Sequence, residues 1–229
     1  MKKTLKTILL CCIALIAVMT LGGCGGNGKY DDSISEMRDQ FLKGENQRFT
    51  VTLIGGYRET PFEIDGVSGE KGEYSLISVT PKSATAYSAI KVILLDEEGK
   101  QEAEGEALKH PYKECFYFEI MSRVPDKQTV RLVYGDSQAD IELTSVRGEG
   151  EIDGAAALDI AVKALSDSLA PYSAKDKFSG EIYVRYIENP LKSDGKYYWY
   201  VAFVPAAQPD TSVAALLDAS TGALMATRK

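Results

Sequence analysis

Phe49-Thr50-Val51-Thr52-Leu53 decides how the chain folds. Apolar residues alternate with threonines, so an extended backbone presents one apolar and one polar face, the period of a half-buried strand. Similar runs follow at 61–65, 74–80, 89–95, 101–107, 115–121, 129–134 and 139–145. Asp65-Gly66, Glu98-Gly99 and Gly135-Asp136 supply turn chemistry between them. Short strands at this spacing over roughly 100 residues predict an antiparallel β-sandwich. There is no Cys…Trp…Cys pattern, so any likeness to immunoglobulin domains is architectural.

The flanks read differently. Residues 33–43 are predicted as a helix, with Ser33 or Ser35 as cap, Met37 and Phe41 four apart, and Gly44 as the stop. Beyond the strands, Arg147-Gly148-Glu149-Gly150-Glu151-Ile152-Asp153-Gly154 marks a boundary by its glycines and acids. Asp153 caps a second helix running to about Leu169, with Leu158, Ala161, Leu165 and Leu169 on its apolar stripe and Pro171 ending it. Strands at 181–188, 197–204, 213–217 and 223–228 complete the chain. The expected organisation is therefore a signal segment (1–23), a tether (24–32), a helix plus sandwich domain (33–147), a linker (148–153) and a small domain (154–229). The expected fold class is mostly β: an N-terminal antiparallel β-sandwich and a C-terminal α+β unit with one helix on an antiparallel sheet.

The basic head Met1-Lys2-Lys3, with Lys6, precedes an apolar run from Ile8 to Met19 and then Leu21-Gly22-Gly23-Cys24. A basic start, a short apolar stretch and small residues at the end are the layout of a secretory signal. The Leu-Gly-Gly-Cys ending resembles the lipobox of bacterial lipoproteins. The resemblance implies a diacylglycerol on the Cys24 thiol, cleavage before it, and a lipid-anchored protein on the extracytoplasmic face of the cell membrane. An uncleaved anchor is the alternative, but such an anchor has no need of that tetrapeptide. Gly25-Gly26-Asn27-Gly28-Lys29 follows as a polar spacer.

Removing 23 of 229 residues leaves 206, with 23 basic and 33 acidic side chains, a net charge of −10. A surface so acidic repels nucleic acid and anionic headgroups. Cys11 and Cys12 leave with the signal and Cys24 is lipidated, so Cys115 is left alone and no internal disulfide is expected. Its apolar neighbours in Cys115-Phe116-Tyr117-Phe118 mark a buried, inert thiol.

The last 75 or so residues resemble the PepSY domain of bacterial exported proteins. The resemblance is carried by Trp199-Tyr200-Val201 and by Leu217-Asp218-Ala219-Ser220-Thr221-Gly222-Ala223-Leu224, preceded by a helix. It implies a cell-envelope protein for which peptidase inhibition is the usual proposal, and it brings no catalytic residues.

Catalytic signals are weak. His110 stands alone in a Lys-His-Pro loop. Ser88/Lys91 and Ser193/Lys196 match Ser-x-x-Lys, but their Ser-Asp-Asn and Lys-Thr-Gly companions are missing. Asp31-Asp32 and Glu149/Glu151 lack the spacing of a calcium loop and read as solvated. In Tyr197-Tyr198-Trp199-Tyr200 alternate rings face opposite ways. One pair is expected under the helix and the other over the open face of the sheet, with a peptide- or glycan-binding face as the alternative. The expectation is a non-catalytic binding or regulatory lipoprotein, with no catalytic residue, cofactor or metal. Its partners would be the membrane, through the anchor, and an envelope or secreted protein, a peptidase among them. The alternatives are an envelope hydrolase working through dispersed carboxylates and a solute-capture lipoprotein of a transporter.

Overall fold

The computed structural model describes residues 28–229, except 64–68, 84–86, 175–176 and 193. Eight strands are formed by the first half: β1 (Ile34–Glu45), β2 (Phe49–Glu59), β3 (Lys71–Pro81), β4 (Ile90–Leu95), β5 (Gln101–Lys109), β6 (Phe116–Ile120), β7 (Lys127–Tyr134) and β8 (Ser137–Ser145). They pair in the order β1-β2-β3-β6-β5-β4-β7-β8, and β8 returns to β1 through Leu42↔Ser145 and Lys43↔Thr144. The eight strands are a closed antiparallel β-barrel, not the expected sandwich. Strand alternation is the same in both architectures, and only this last pairing separates them. Gly44 permits it: a Cβ there would lie 2.2 Å from the Glu142 carbonyl oxygen on β8. Phe49, Val51, Leu53, Ile77 and Leu132 fill the interior and are fully buried.

The predicted helix over 33–43 is strand β1. A spacing of four, as between Met37 and Phe41, lies on one face of a strand as well as of a helix. β1 is buried on both faces, so no alternation reveals it. Gly28–Asp31, within the expected tether, forms one helical turn, and Tyr30 packs on Phe178 and Phe203. No strand forms over 61–63, and 64–68 lie outside the described residues.

After Ser145 the chain passes through 146–153 without strand or helix. Asp153 then accepts the Ala156 N–H at 2.8 Å and caps the helix Gly154–Ala164, followed by Ser166–Leu169. A two-stranded ribbon, β9 (Ser173–Ala174) and β10 (Lys177–Phe178), leads into a meander of β11 (Gly180–Glu188), β12 (Tyr197–Pro205), β13 (Val213–Asp218) and β14 (Leu224–Arg228). This sheet is not a separate α+β layer as expected. β11 pairs in parallel with β1 (Ile34↔Ile182, Arg38↔Arg185), so one twelve-stranded sheet runs from β14 into the barrel wall.

β1 therefore serves two cores. Met37 and Phe41 point under the helix, where they meet Trp199, Tyr186, Val201 and Leu158. Leu42 points into the barrel. Trp199 is fully buried at the centre of the helix-side core. Its indole N–H donates to the Ile152 carbonyl at 3.0 Å, and its ring stands edge-on to Tyr186 at 5.2 Å. That contact ties the 146–153 segment to the sheet.

Candidate functional site

The helix covers one face of the β11–β14 meander. Strand alternation sends the other set of side chains to the opposite face, where Phe62 packs edge-on to Tyr183 and the face is open towards β14, at Tyr200, Leu216, Ala226 and Arg228. Register aligns them into two cross-strand rows. One row is Arg38–Arg185–Tyr200–Leu216–Ala226, and its neighbour is Glu36–Tyr183–Ala202–Ala214–Arg228. Small side chains, Ala202 and Ala214 in the middle of the second row and Ala226 at the end of the first, leave a groove of about 490 Å³. Its floor is Ala214, Leu216 and Ala226, and Ile187 and Pro190 form a wall. Arg38 and Arg185 border one end and Arg228 the other.

The cationic end is built on a buried carboxylate. Glu36 is 1% exposed. Its Oε1 accepts from Arg38 Nη2 at 3.0 Å and from the Tyr74 hydroxyl at 2.5 Å, and its Oε2 accepts from Arg185 Nε at 2.5 Å. Burial by itself would push the Glu36 carboxyl up. The charges of Arg38 and Arg185 and the hydrogen bonds from Tyr74 and Arg185 outweigh it and hold the carboxyl below the usual range. Burial and the adjacent Glu36 charge push the Tyr74 phenol up to about 12. Burial would lower Arg38, but Glu36 more than compensates and keeps the guanidinium charged. Glu36, Tyr74 and Arg38 thus each keep one charge state across the neutral range. One carboxylate faces two guanidiniums, and the surplus charge is positive. Arg185 also lies over the Tyr183 ring, 4.8 Å from its centre.

Arg228 donates to the Ser212 hydroxyl, which steadies the far end of the second row. β14 itself is exposed throughout and borders the sheet with one partner, β13.

The residues singled out by sequence lie elsewhere. Cys24 falls outside the described residues, as does Ser193. The His110 ring accepts the backbone N–H groups of Tyr112 and Lys113 at 3.1 Å through Nδ1 and so stabilises its own turn. Lys91 pairs with Glu104 at 2.7 Å on the barrel wall. Partial burial pushes the Cys115 thiol up, away from the reactive thiolate. Glu151 is not simply solvated: it accepts the Tyr186 hydroxyl at 2.7 Å, and burial, with this hydrogen bond second, pushes that phenol up. Tyr197 and Trp199 do face the helix, and Tyr198 and Tyr200 the open side. Tyr200 enters the groove row.

Glu36, Tyr74, Arg38 and Arg185 were not foreseen. They come from β1, β3 and β11, and Arg38 and Arg185 are 147 positions apart in the chain. The available signal was a charged residue at every second position, Glu36-x-Arg38, which suits a strand face better than a helix.

The fold and groove define a mostly β protein in which a closed eight-stranded antiparallel barrel lends one strand to a helix-covered sheet. No family model, no curated protein and no solved structure matches the chain.

Proposed function

We propose that the chain is a lipid-anchored, extracytoplasmic, non-catalytic binding module whose ligand seat is the arginine-bordered groove on the open face of the β11–β14 sheet. One observation carries this reading: across five strands the aligned rows set Arg38 and Arg185 at one end of the groove and Arg228 at the other, with the apolar Ala214, Leu216 and Ala226 between them. A concave apolar surface with few, placed polar groups is the usual form of a small-molecule site. The fixed charge states of Glu36, Tyr74 and Arg38 favour binding over proton transfer, because a general acid or base needs a group that titrates near the working pH. The anchor is read from Leu21-Gly22-Gly23-Cys24. Among the described residues no helix is long and apolar enough to cross a membrane. The PepSY-like pattern in the last third agrees with an envelope location and a regulatory role, with a peptidase as one class of partner.

The test uses intact cells. Wild type should incorporate labelled palmitate and sediment with membranes, and Cys24→Ala should do neither. A photo-crosslinking residue at Ala226, in the groove, should capture a bound molecule. The same residue at Tyr112, which is 93% exposed on a barrel loop, should capture none specifically. Equal capture at both positions contradicts the assignment of the groove.

A further inference from the structure

We propose that the groove holds a single-tailed carboxylate of fatty-acid type, its head at Arg185 and Arg38 and its alkyl chain lying across β12, β13 and β14. The inference rests on the binding reading above and narrows the ligand to one chemical class.

Charge selects the head. Three guanidiniums and no carboxylate are among the described residues lining the groove, in a chain whose formal net charge is −7; Glu36 lies buried behind Arg38 and Arg185, and buried Glu181 and Glu59 act further off, on Tyr183. Arg185 uses Nε on Glu36. Among the described residues its two Nη groups make no hydrogen bond. The side chain is 25% exposed at the groove end, so those donors face the ligand space. A guanidinium held by Nε from behind presents a planar edge that suits a carboxylate.

The apolar floor selects the body. Ala214, Leu216 and Ala226 offer no side-chain donor or acceptor, and Ala214 and Leu216 lie on the inner strand β13, paired on both sides in the β12–β13–β14 ladders. An extended peptide on this floor would carry an unpaired N–H and C=O at every residue, each costly to desolvate. An alkyl chain carries none. The Tyr200 hydroxyl and the Arg228 guanidinium lie along the groove, and they can accommodate one polar tail end but not a string of amides.

Length agrees. From β11 to β14 there are three strand spacings of about 4.8 Å, or roughly 14 Å from Arg185 to the far side of the floor. The volume of about 490 Å³ falls in the range of a site for one small molecule. A membrane-anchored protein would meet such amphiphiles at the bilayer surface.

The experiment takes the full chain in phosphatidylcholine nanodiscs with a photoactivatable myristate. Labelling should saturate, and the adducts should map to residues 213–228. Unlabelled myristate should compete, while myristyl alcohol, which lacks the charge, should compete at least tenfold less well. Arg185→Ala should lower labelling about tenfold and Arg185→Lys should restore part of it. Because Arg185→Ala also disturbs Glu36, a second variant leaves that cluster intact: Ala226→Trp fills the floor from the exposed edge strand and should abolish labelling with an unchanged melting temperature. Equal competition by the alcohol overturns the proposal. So do adducts elsewhere in the chain, undiminished labelling of Ala226→Trp, or stronger competition by an alkyl phosphate than by the carboxylate. Capture at Ala226 in cells without myristate labelling here would remove this inference and leave the binding reading standing.

Discussion

Replacing Glu36 with glutamine keeps the shape of the side chain and removes its charge. In the native protein the carboxylate is 1% exposed and is the shared acceptor for Arg38, Arg185 and Tyr74. The amide offers one acceptor oxygen in place of two and aims its NH₂ at a guanidinium. Two arginines would then be held side by side without a counter-charge. Stripping one partner from a buried ion pair costs about 3–5 kcal/mol. The guanidiniums are 23% and 25% exposed and keep some hydration, so the lower end, about 3 kcal/mol, is expected. For a domain of this length each kcal/mol moves the melting temperature by roughly 2–4 °C, which predicts a fall of about 6–12 °C.

The loss should depend on pH. The Glu36 carboxyl is held below its ordinary 4.5, so its stabilisation is fully present above that value and is lost as the pH falls through the lower, folded-state value. The gap between wild type and Glu36→Gln should therefore be constant from about pH 6 to 8 and narrow in acid. Thermal melts followed by fluorescence of the single tryptophan, at several pH values, provide the assay. A Glu36→Gln protein that melts with wild type at pH 7 refutes the claim that this carboxylate holds the arginines in place.

Trp199→Ala should destabilise by about 3–5 kcal/mol, since it empties the helix-side core and strands the Ile152 carbonyl, whereas Tyr200→Ala should melt near wild type and weaken ligand binding. Urea titrations of the two variants separate these outcomes. Gly44→Val should open the β1–β8 seam, because no side chain fits 2.2 Å from the Glu142 carbonyl; faster amide exchange in β8 would show it, and unchanged exchange would not fit a closed barrel. Because β1 belongs to both cores, the barrel and the helix-covered sheet should unfold in one transition. Two resolved transitions in calorimetry, or two stable fragments after a cut at 147–153, would show that the shared strand does not couple them.

Most individual strands are legible in the chain, because Thr50 and Thr52 between Phe49, Val51 and Leu53 impose period two, and similar runs repeat it. The Asp153 cap and the Asp218–Thr221 turn are legible for the same local reason: Asp153 accepts from Ala156, and Asp218 accepts the Thr221 N–H at 2.9 Å. Closure is not legible. Whether Ser145 returns to Leu42 depends on the coiling of all eight strands, and no local pattern records it. β1 escapes because Met37 and Phe41 satisfy one core while Leu42 satisfies another. The groove escapes with it. Once β1 is read as a helix, Arg38 and Arg185 have no reason to be neighbours, and Arg185 between Val184 and Tyr186 looks like an ordinary solvent-facing position. The Tyr197–Tyr200 run was informative in part, since its alternation placed Trp199 in the core and Tyr200 on the open face.

The most direct test of the groove is a methyl NMR titration of the full chain in nanodiscs, with alanine methyls labelled and myristate added. Shifts should be confined to Ala214 and Ala226, while Ala103 and Ala107 of the barrel and Ala157 and Ala161 under the helix stay in place. Shifts concentrated in the barrel or helix alanines, or none at saturating myristate, would contradict the groove as the ligand seat.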